Sequence, residues 1–178
     1  MEPKKIANDN NIIAQTKQWV ADVIIELNFC PFAKKVFDQQ GIFYKVVESK
    51  NTEEGLAVLI DECIRLNNDT DIETALIIYS NMLEDFNDYL DFLDYIGVYQ
   101  LASFHPEYCF DGVELDAAEN YTNRSPYPML HLIKESSLAK ALEAYHDPEQ
   151  IPVRNVERAK QKGVTFFKQI LNKISNIK

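Results

Sequence analysis

Glycine is scarce in this chain, with five glycines among 178 residues, and none of them belongs to a glycine-rich loop. The sequence therefore lacks the P-loop and the dinucleotide-binding fingerprint, which both use glycines to bring backbone N–H groups close to phosphates. Long apolar runs are also missing, since no stretch approaches the ~20 residues that span a bilayer. These absences exclude two common nucleotide-binding motifs and predict a protein without a membrane partner.

Disulfide chemistry and basic charge are lacking as well. The three cysteines are an odd number at wide spacing, which does not make a disulfide framework. The N-terminal run MEPKKIANDNN has two lysines but no apolar segment behind them, so it does not resemble a secretory signal. Both features predict a cytoplasmic protein. The formal net charge of −10 disfavours a nucleic-acid partner, because the phosphate backbone would repel the chain.

Hydrophobic periodicity predicts alternating strands and helices. The length and the absence of repeats favour a single globular domain over residues 1–178, with 1–10 as a frayed lead-in. The β-α-β-α-β order of the first part predicts three parallel strands with right-handed crossovers. We expect an α/β fold with a small, mostly parallel sheet of about four strands flanked by helices, in an order left open. The predicted strands are 42–47, 74–79, 98–104 and 129–133, and the predicted helices are 11–27, 32–39, 51–66, 84–96, 138–145 and 153–174, the last broken at Gly163.

Two histidines flank the longest predicted loop. His105 follows the third strand, and ligands gather at the carboxyl ends of parallel strands, so His105 is a candidate general acid or base. The alternative is a histidine that caps the strand end through hydrogen bonds. His131 lies within the apolar run 129–133 and is either an assisting catalytic group or a satisfied core residue. Both histidines are also candidate metal ligands, with Glu107 or Asp111 completing the set.

Cys30 is the candidate nucleophile. Pro31 suits the first position of a helix, which would make Cys30 the N-cap of the helix at 32–39. The positive end of the helix dipole, together with Lys34 and Lys35, would then favour the thiolate. The alternative is a buried free cysteine that packs as a small hydrophobic residue.

Arginine and its polar neighbours suggest where a ligand would bind. Arg124 lies in a loop held by prolines, and its planar guanidinium could hold a carboxylate or a phosphate with two hydrogen bonds. Asn123 and Tyr127 could bind the same ligand or stabilise the turn. A structural ion pair of Arg124 would look identical in the sequence. Arg154 and Asn155, which open the last helix, form a second Arg/Asn pair that could face the same pocket.

Three runs of residues resemble a bacterial family known as domain of unknown function 1415. They are LNFCPFA at 27–33, ASFHPxYxF at 102–110 and YTNRSPYPxLHL at 121–132, joined by Asp85-Phe86 and Arg154-Asn155. The resemblance covers nearly the whole chain. It implies no particular activity, because the family is defined as one of unknown function. It implies a glutamine at the position of Cys109, which weakens the case for a zinc ligand there.

Together these patterns favour a small cytoplasmic enzyme, a thiol- or histidine-dependent hydrolase or transferase that acts on a small polar or anionic metabolite. His105, Cys30 and His131 would be the catalytic residues. The substrate-binding residues would be Arg124, Asn123, Tyr127 and Arg154. One alternative is a non-catalytic module that binds a ligand or a metal through His105 and His131, and another is a purely structural loop. The sequence predicts neither a cofactor nor an oligomeric state.

Overall fold

The computed structural model describes residues 9–48, 51–81 and 98–178. The predicted helix at 84–96 lies outside these ranges. Within them the strands are β1 (Ile42–Val47), β2 (Thr74–Tyr79), β3 (Tyr99–Phe104) and β4 (Met129–Lys134). The α-helices are α1 (Asp9–Trp19), α2 (Ala33–Asp38), α3 (Thr52–Asn68), α4 (Glu135–Glu143), α5 (Ile151–Lys162) and α6 (Val164–Ser175), with a π-helical continuation of α1 at Val20–Ile25 and 3-10 turns at Ala118–Thr122 and Pro148–Gln150.

The four strands of the described ranges form one sheet in the order β1-β2-β4-β3. β1 pairs with β2 in parallel, whereas β4 is antiparallel to both β2 and β3. β1, β2 and β3 therefore run in the same direction, as their alternation with helices predicts, and β4 lies between β2 and β3 in the opposite direction. The α/β class is confirmed, but the sheet is mixed, since two of its three pairings are antiparallel.

Strand β2 is the centre of the fold. All six of its residues are buried, as a continuous apolar run of strand length predicts for a strand that is covered on both faces. Leu76 and Ile78 belong to a core that includes residues of α1 and α6. Ala75 and Ile77 belong to a second core that includes residues of α3. Helices thus cover both faces of the sheet.

Trp19 connects the first core to the loop before β4. Its indole is 1 % exposed, and Nε1–H donates a hydrogen bond of 3.0 Å to the carbonyl oxygen of Arg124. The ring meets Phe104 edge to face at 5.0 Å, a favourable arrangement for two aromatic side chains. This contact fixes the predicted loop segment against α1.

Helix α3 covers the opposite face. Asn51 caps it, since its side chain accepts a hydrogen bond of 2.8 Å from the backbone N–H of Glu53. Leu59 and Leu66 are fully buried, as their spacing predicts. The helical spacing of the apolar residues predicts that Ile60 is buried with them, and this prediction was wrong, because Ile60 is 38 % exposed. It directly follows the buried Leu59 and therefore lies at the edge of the apolar face of the helix.

The predicted break in the last helix is confirmed at Gly163. Its backbone angles, φ 76° and ψ 159°, lie in a region that is essentially restricted to glycine. α5 therefore ends at Lys162 and α6 begins at Val164 in a new direction. Phe167 of α6 stacks on Tyr121 at 4.9 Å and on Phe29 at 6.2 Å.

Candidate functional site

The π-helical continuation of α1 ends in a compact turn that contains no glycine. Asn28 adopts φ 50°, a left-handed conformation that asparagine tolerates better than other residues with a Cβ atom. The backbone N–H of Asn28 donates to Ile25 O at 2.9 Å, and that of Phe29 donates to Ile24 O at 2.9 Å. These bonds end the helix in the way that left-handed C-terminal caps do. The carbonyl groups of residues 27–29 are then directed away from the helix.

Helix α5 binds these carbonyl groups. Asn155 Nδ2 donates to Phe29 O at 2.7 Å, and Arg158 Nη1 donates to Leu27 O at 2.6 Å and to Asn28 O at 3.1 Å. The bonded residues are 126 to 131 positions apart in sequence, so these bonds are specific tertiary contacts. They hold the LNFCPFA run and the Arg154-Asn155 pair side by side.

A small polar cavity lies at this junction. It has a volume of about 150 Å³. Two arginines, two asparagines and one tyrosine are among the residues that line it. The lining residues are Asn28, Pro31, Tyr145, Ile151, Arg154, Asn155 and Arg158.

The two arginines of the cavity have no carboxylate partner among the described residues. Every ion pair within 4.0 Å in that part of the chain involves other side chains. Arg154 Nη2 makes a long bond of 3.4 Å to the carbonyl oxygen of Asp147, and its guanidinium lies 5.8 Å from the centre of the Tyr145 ring. Arg158 donates from Nη1 to carbonyl oxygens of the turn. Its Nε and Nη2 have no hydrogen-bond acceptor among the described residues. The cavity is therefore a concentration of positive charge in a chain of net charge −10.

Cys30 lies between two cavity residues, Asn28 and Pro31, but does not itself line the cavity. Burial raises the pKa of its thiol, although hydrogen bonds from the backbone N–H groups of Phe32 and Ala33 act in the opposite direction. The raised pKa disfavours the thiolate that the sequence led us to expect, and the role of Cys30 as a nucleophile stays a prediction. α2 begins only at Ala33, with Phe32 as its N-cap, so Cys30 is not the capping residue.

His131 lies in the middle of β4 and is partly buried. Its Nε2 is 2.8 Å from Thr74 Oγ1, and the same hydroxyl donates to Leu132 O at 2.6 Å. Because a threonine hydroxyl has one proton, it accepts the bond from His131, which places the imidazole proton on Nε2. Desolvation lowers the pKa of His131 to about 4, so the ring is neutral at pH 7. These features match the satisfied core histidine considered from the sequence.

His105 follows β3, at the position expected from the sequence. Its backbone N–H donates to Asn123 O at 3.2 Å, and its Nδ1 accepts a bond of 3.1 Å from the backbone N–H of Glu107. In the neutral ring the proton is then on Nε2. His131 pairs with Ala102, three residues before His105, so the two histidines are separated by roughly 10 Å along the strand direction.

Arg124 is 8 % exposed and braces the loop that follows β3. Nε donates to Tyr108 O at 3.0 Å and Nη2 donates to Leu115 O at 2.6 Å. The guanidinium also lies 4.7 Å from the centre of the Tyr121 ring, within the range of a cation–π interaction. These contacts give Arg124 a structural role in the described part of the chain. Its role in substrate binding stays a prediction.

Asn123 and Tyr127 make similar internal contacts. Asn123 Nδ2 donates to Ser103 O at 3.4 Å, and its Oδ1 accepts from the Thr122 hydroxyl at 3.0 Å. The Tyr127 hydroxyl donates to Gln15 Oε1 at 2.5 Å, and burial raises its pKa. Neither residue lines the arginine cavity. The structure thus separates Arg154 from the other three predicted substrate-binding residues.

Metal ligands are not clustered in the described ranges. No group of three or more His, Cys, Asp or Glu side chains there is placed to hold a metal ion. His105, His131 and Cys30 therefore do not form such a cluster with one another. The arrangement gives no support to the alternative in which His105 and His131 bind a metal with Glu107 or Asp111.

Comparison with known proteins assigns the chain to a family. The model of DUF1415, described as a protein of unknown function, matches residues 11–169, and the chain belongs to that family. This confirms the resemblance found in the sequence. No curated protein and no solved structure matches the chain. Within the described residues, no helix is both long enough and apolar enough to cross a membrane.

Two of the residues that line the cavity were predicted from the sequence. Arg154 and Asn155 were identified as a possible binding pair, but Arg158, Asn28 and Tyr145 were missed. The spacing of Arg154 and Arg158 was an available signal, because residues four apart share one face of a helix. The contribution of Asn28 depends on a tertiary contact that no local pattern reports.

Proposed function

We propose that this protein binds a small anionic metabolite in the cavity between residues 28–31 and α5. The observation that carries the proposal is the pair of guanidinium groups, Arg154 and Arg158, that line one cavity without a carboxylate partner in the described ranges. Carboxylate and phosphate groups are the ligands that a guanidinium binds best, since two parallel N–H bonds fit two of their oxygens.

The size of the cavity agrees with a phosphate or a carboxylate group. Its volume of about 150 Å³ is smaller than the roughly 300–1,000 Å³ of pockets that enclose a whole drug-sized ligand. Asn155 and Tyr145 add polar groups beside the arginines. The cavity is therefore suited to the acidic head group of a metabolite.

Titration calorimetry with inorganic phosphate tests the proposal. We expect saturable binding to the wild type and at least a tenfold loss of affinity in Arg154→Gln, because a hydrogen bond to a charged group contributes about 1.5–3 kcal/mol. Arg154 is preferred to Arg158 for this test, since Arg158 also holds the turn.

Lys168→Gln is the matched control, because it removes one positive charge from an exposed position that lines neither cavity of the C-terminal helices. Its affinity should stay within about twofold of the wild type, as expected for a distant surface charge screened by salt. The proposal is wrong if the wild type binds neither phosphate nor acetate, or if both variants weaken binding equally. Circular dichroism checks that the variants are folded.

Thiol chemistry at the same place is the second candidate function. It is favoured by the position of Cys30 between Asn28 and Pro31, which both line the cavity. Its raised pKa counts against a nucleophile in the ligand-free protein. The roles of His105 and His131 as acid–base catalysts stay predictions, and neither residue lines the cavity.

A further inference from the structure

A larger groove adjoins the arginine cavity. It has a volume of about 580 Å³ and lies between the end of the N-terminal helix and the helices α5 and α6. Arg158 lines both spaces, and the neighbouring residues Leu27 and Asn28 line one each. The two spaces therefore share the Arg158 side chain as part of their walls and meet the chain at consecutive residues, Leu27 and Asn28.

The groove has an apolar strip. Leu27, Phe166 and Ile170 line it, and the latter two are only partly buried in the hydrophobic core. Lys162 Nζ lies 4.9 Å from the centre of the Phe166 ring, so a cation covers one side of this aromatic group. A ligand on the strip would remove apolar surface from water.

The charges of the groove favour an anion at one end only. Asp22 and Glu26 line the side formed by the N-terminal helix, whereas Lys162 and Lys173 line the opposite side. These charges balance in number along the groove. The excess positive charge is at the junction with the cavity, where Arg158 lies.

We propose that the ligand is a single-chain amphiphile, with a phosphate or carboxylate head group in the arginine cavity and an alkyl chain in the groove. This inference rests on the proposed function, because it assigns the head group to the same cavity. The shared position of Arg158 connects the two parts, since one guanidinium can bind the head group at the point where the chain leaves it. Burial of the alkyl chain against Phe166 and Ile170, which are only partly buried, then adds affinity.

A series of alkyl phosphates tests the inference. Binding of inorganic phosphate and of n-butyl, n-hexyl and n-octyl phosphate is measured by calorimetry below the concentrations at which they form micelles. Full burial of a methylene corresponds to about 0.8 kcal/mol, or roughly fourfold in affinity. Because the groove is open on one side, we expect about twofold per methylene. An affinity that does not change with chain length overturns the amphiphile, while phosphate binding itself still supports the proposed function.

Two variants separate the head group from the chain. Ile170→Thr should reduce the dependence on chain length and leave the affinity for inorganic phosphate unchanged, and Phe166→Ser serves the same purpose if that variant does not fold. Arg154→Gln should weaken every member of the series by a similar factor. Undiminished binding of octyl phosphate to Arg154→Gln would mean that the chain binds alone, which overturns the inference. If no member of the series binds the wild type and acetate does not bind either, the proposed function fails as well.

Discussion

Arg154 and Arg158 show how single residues in one helix divide two tasks. Arg158 holds the carbonyl groups of Leu27 and Asn28, while the guanidinium of Arg154 makes one long bond to a backbone oxygen. Both face the same cavity. A residue that holds a turn and a residue that we propose binds a ligand thus share one surface, and only the tertiary contacts distinguish them.

Cys30 provides a test at the scale of one residue. Because burial raises its pKa, little thiolate is present at neutral pH. In a Cys109→Ser variant, which removes the exposed cysteine, we expect reaction with a disulfide reagent such as 5,5′-dithiobis(2-nitrobenzoate) at pH 7.5 to be at least tenfold slower than that of free glutathione. Cys63 is buried with a pKa of about 11 and should be slower still. Fast labelling of Cys30 would restore the nucleophile hypothesis.

His131 predicts a dependence of stability on pH. Its pKa is about 4 in the folded protein and near 6.5 when the chain is unfolded, so the unfolded state binds the proton first as the pH falls. The stability that depends on a neutral His131 is complete above pH 6.5 and is lost as the pH falls to 4, by about 3 kcal/mol at most.

His131→Gln isolates this effect, because glutamine keeps an N–H donor for Thr74 and does not titrate. The free energy of unfolding, measured in urea between pH 7 and pH 4, should fall less steeply in the variant than in the wild type. Carboxylates contribute equally to both proteins and cancel in the difference. Equal slopes would contradict a buried, neutral histidine.

At the scale of elements, local sequence patterns predicted where the strands lie but not how the strands pair. The bounds of β1 and β2 were predicted correctly, since short apolar runs between helices leave little choice for their ends. The position of β4 between β2 and β3 was not predicted. A run such as Met129–Lys134 shows that a strand exists, but its partners are chosen by the path of the long loop before it and by contacts with Ile78 and Phe104 across the sheet. Such choices are not encoded locally.

Gly163 gives a prediction for the junction of two elements. Its backbone conformation is strained for any residue with a Cβ atom, even though a Cβ would meet no atom within 4 Å. We expect Gly163→Ala to lower the free energy of unfolding by about 1–3 kcal/mol, measured in urea. Lys168→Ala, an exposed change in the next helix, should alter stability by less than about 0.5 kcal/mol. A neutral Gly163→Ala would mean that α5 and α6 join without the break.

The molecule combines a strongly negative net charge with a basic cavity among the described residues. The net charge of −10 is distributed over the chain, whereas Arg154 and Arg158 meet at a point where two distant segments pack. Composition alone predicts repulsion of polyanions, which stays a prediction, and gives no sign that two arginines line one cavity. The family match over residues 11–169 agrees with the resemblance seen in the sequence. Because the family is described only as a protein of unknown function, our functional proposal rests on the chemistry of the cavity.

The most direct test of this account is a nuclear magnetic resonance titration with inorganic phosphate. The observed signals are the guanidinium Nε–H groups of Arg154 and Arg158 and the side-chain amide of Asn155. We predict saturable shifts at these three groups with one common affinity, and no comparable shift at Arg124, whose Nε–H is bound to Tyr108 O. Absence of saturation, or shifts centred on Arg124 and His105 instead, would contradict the assignment of the site to α5.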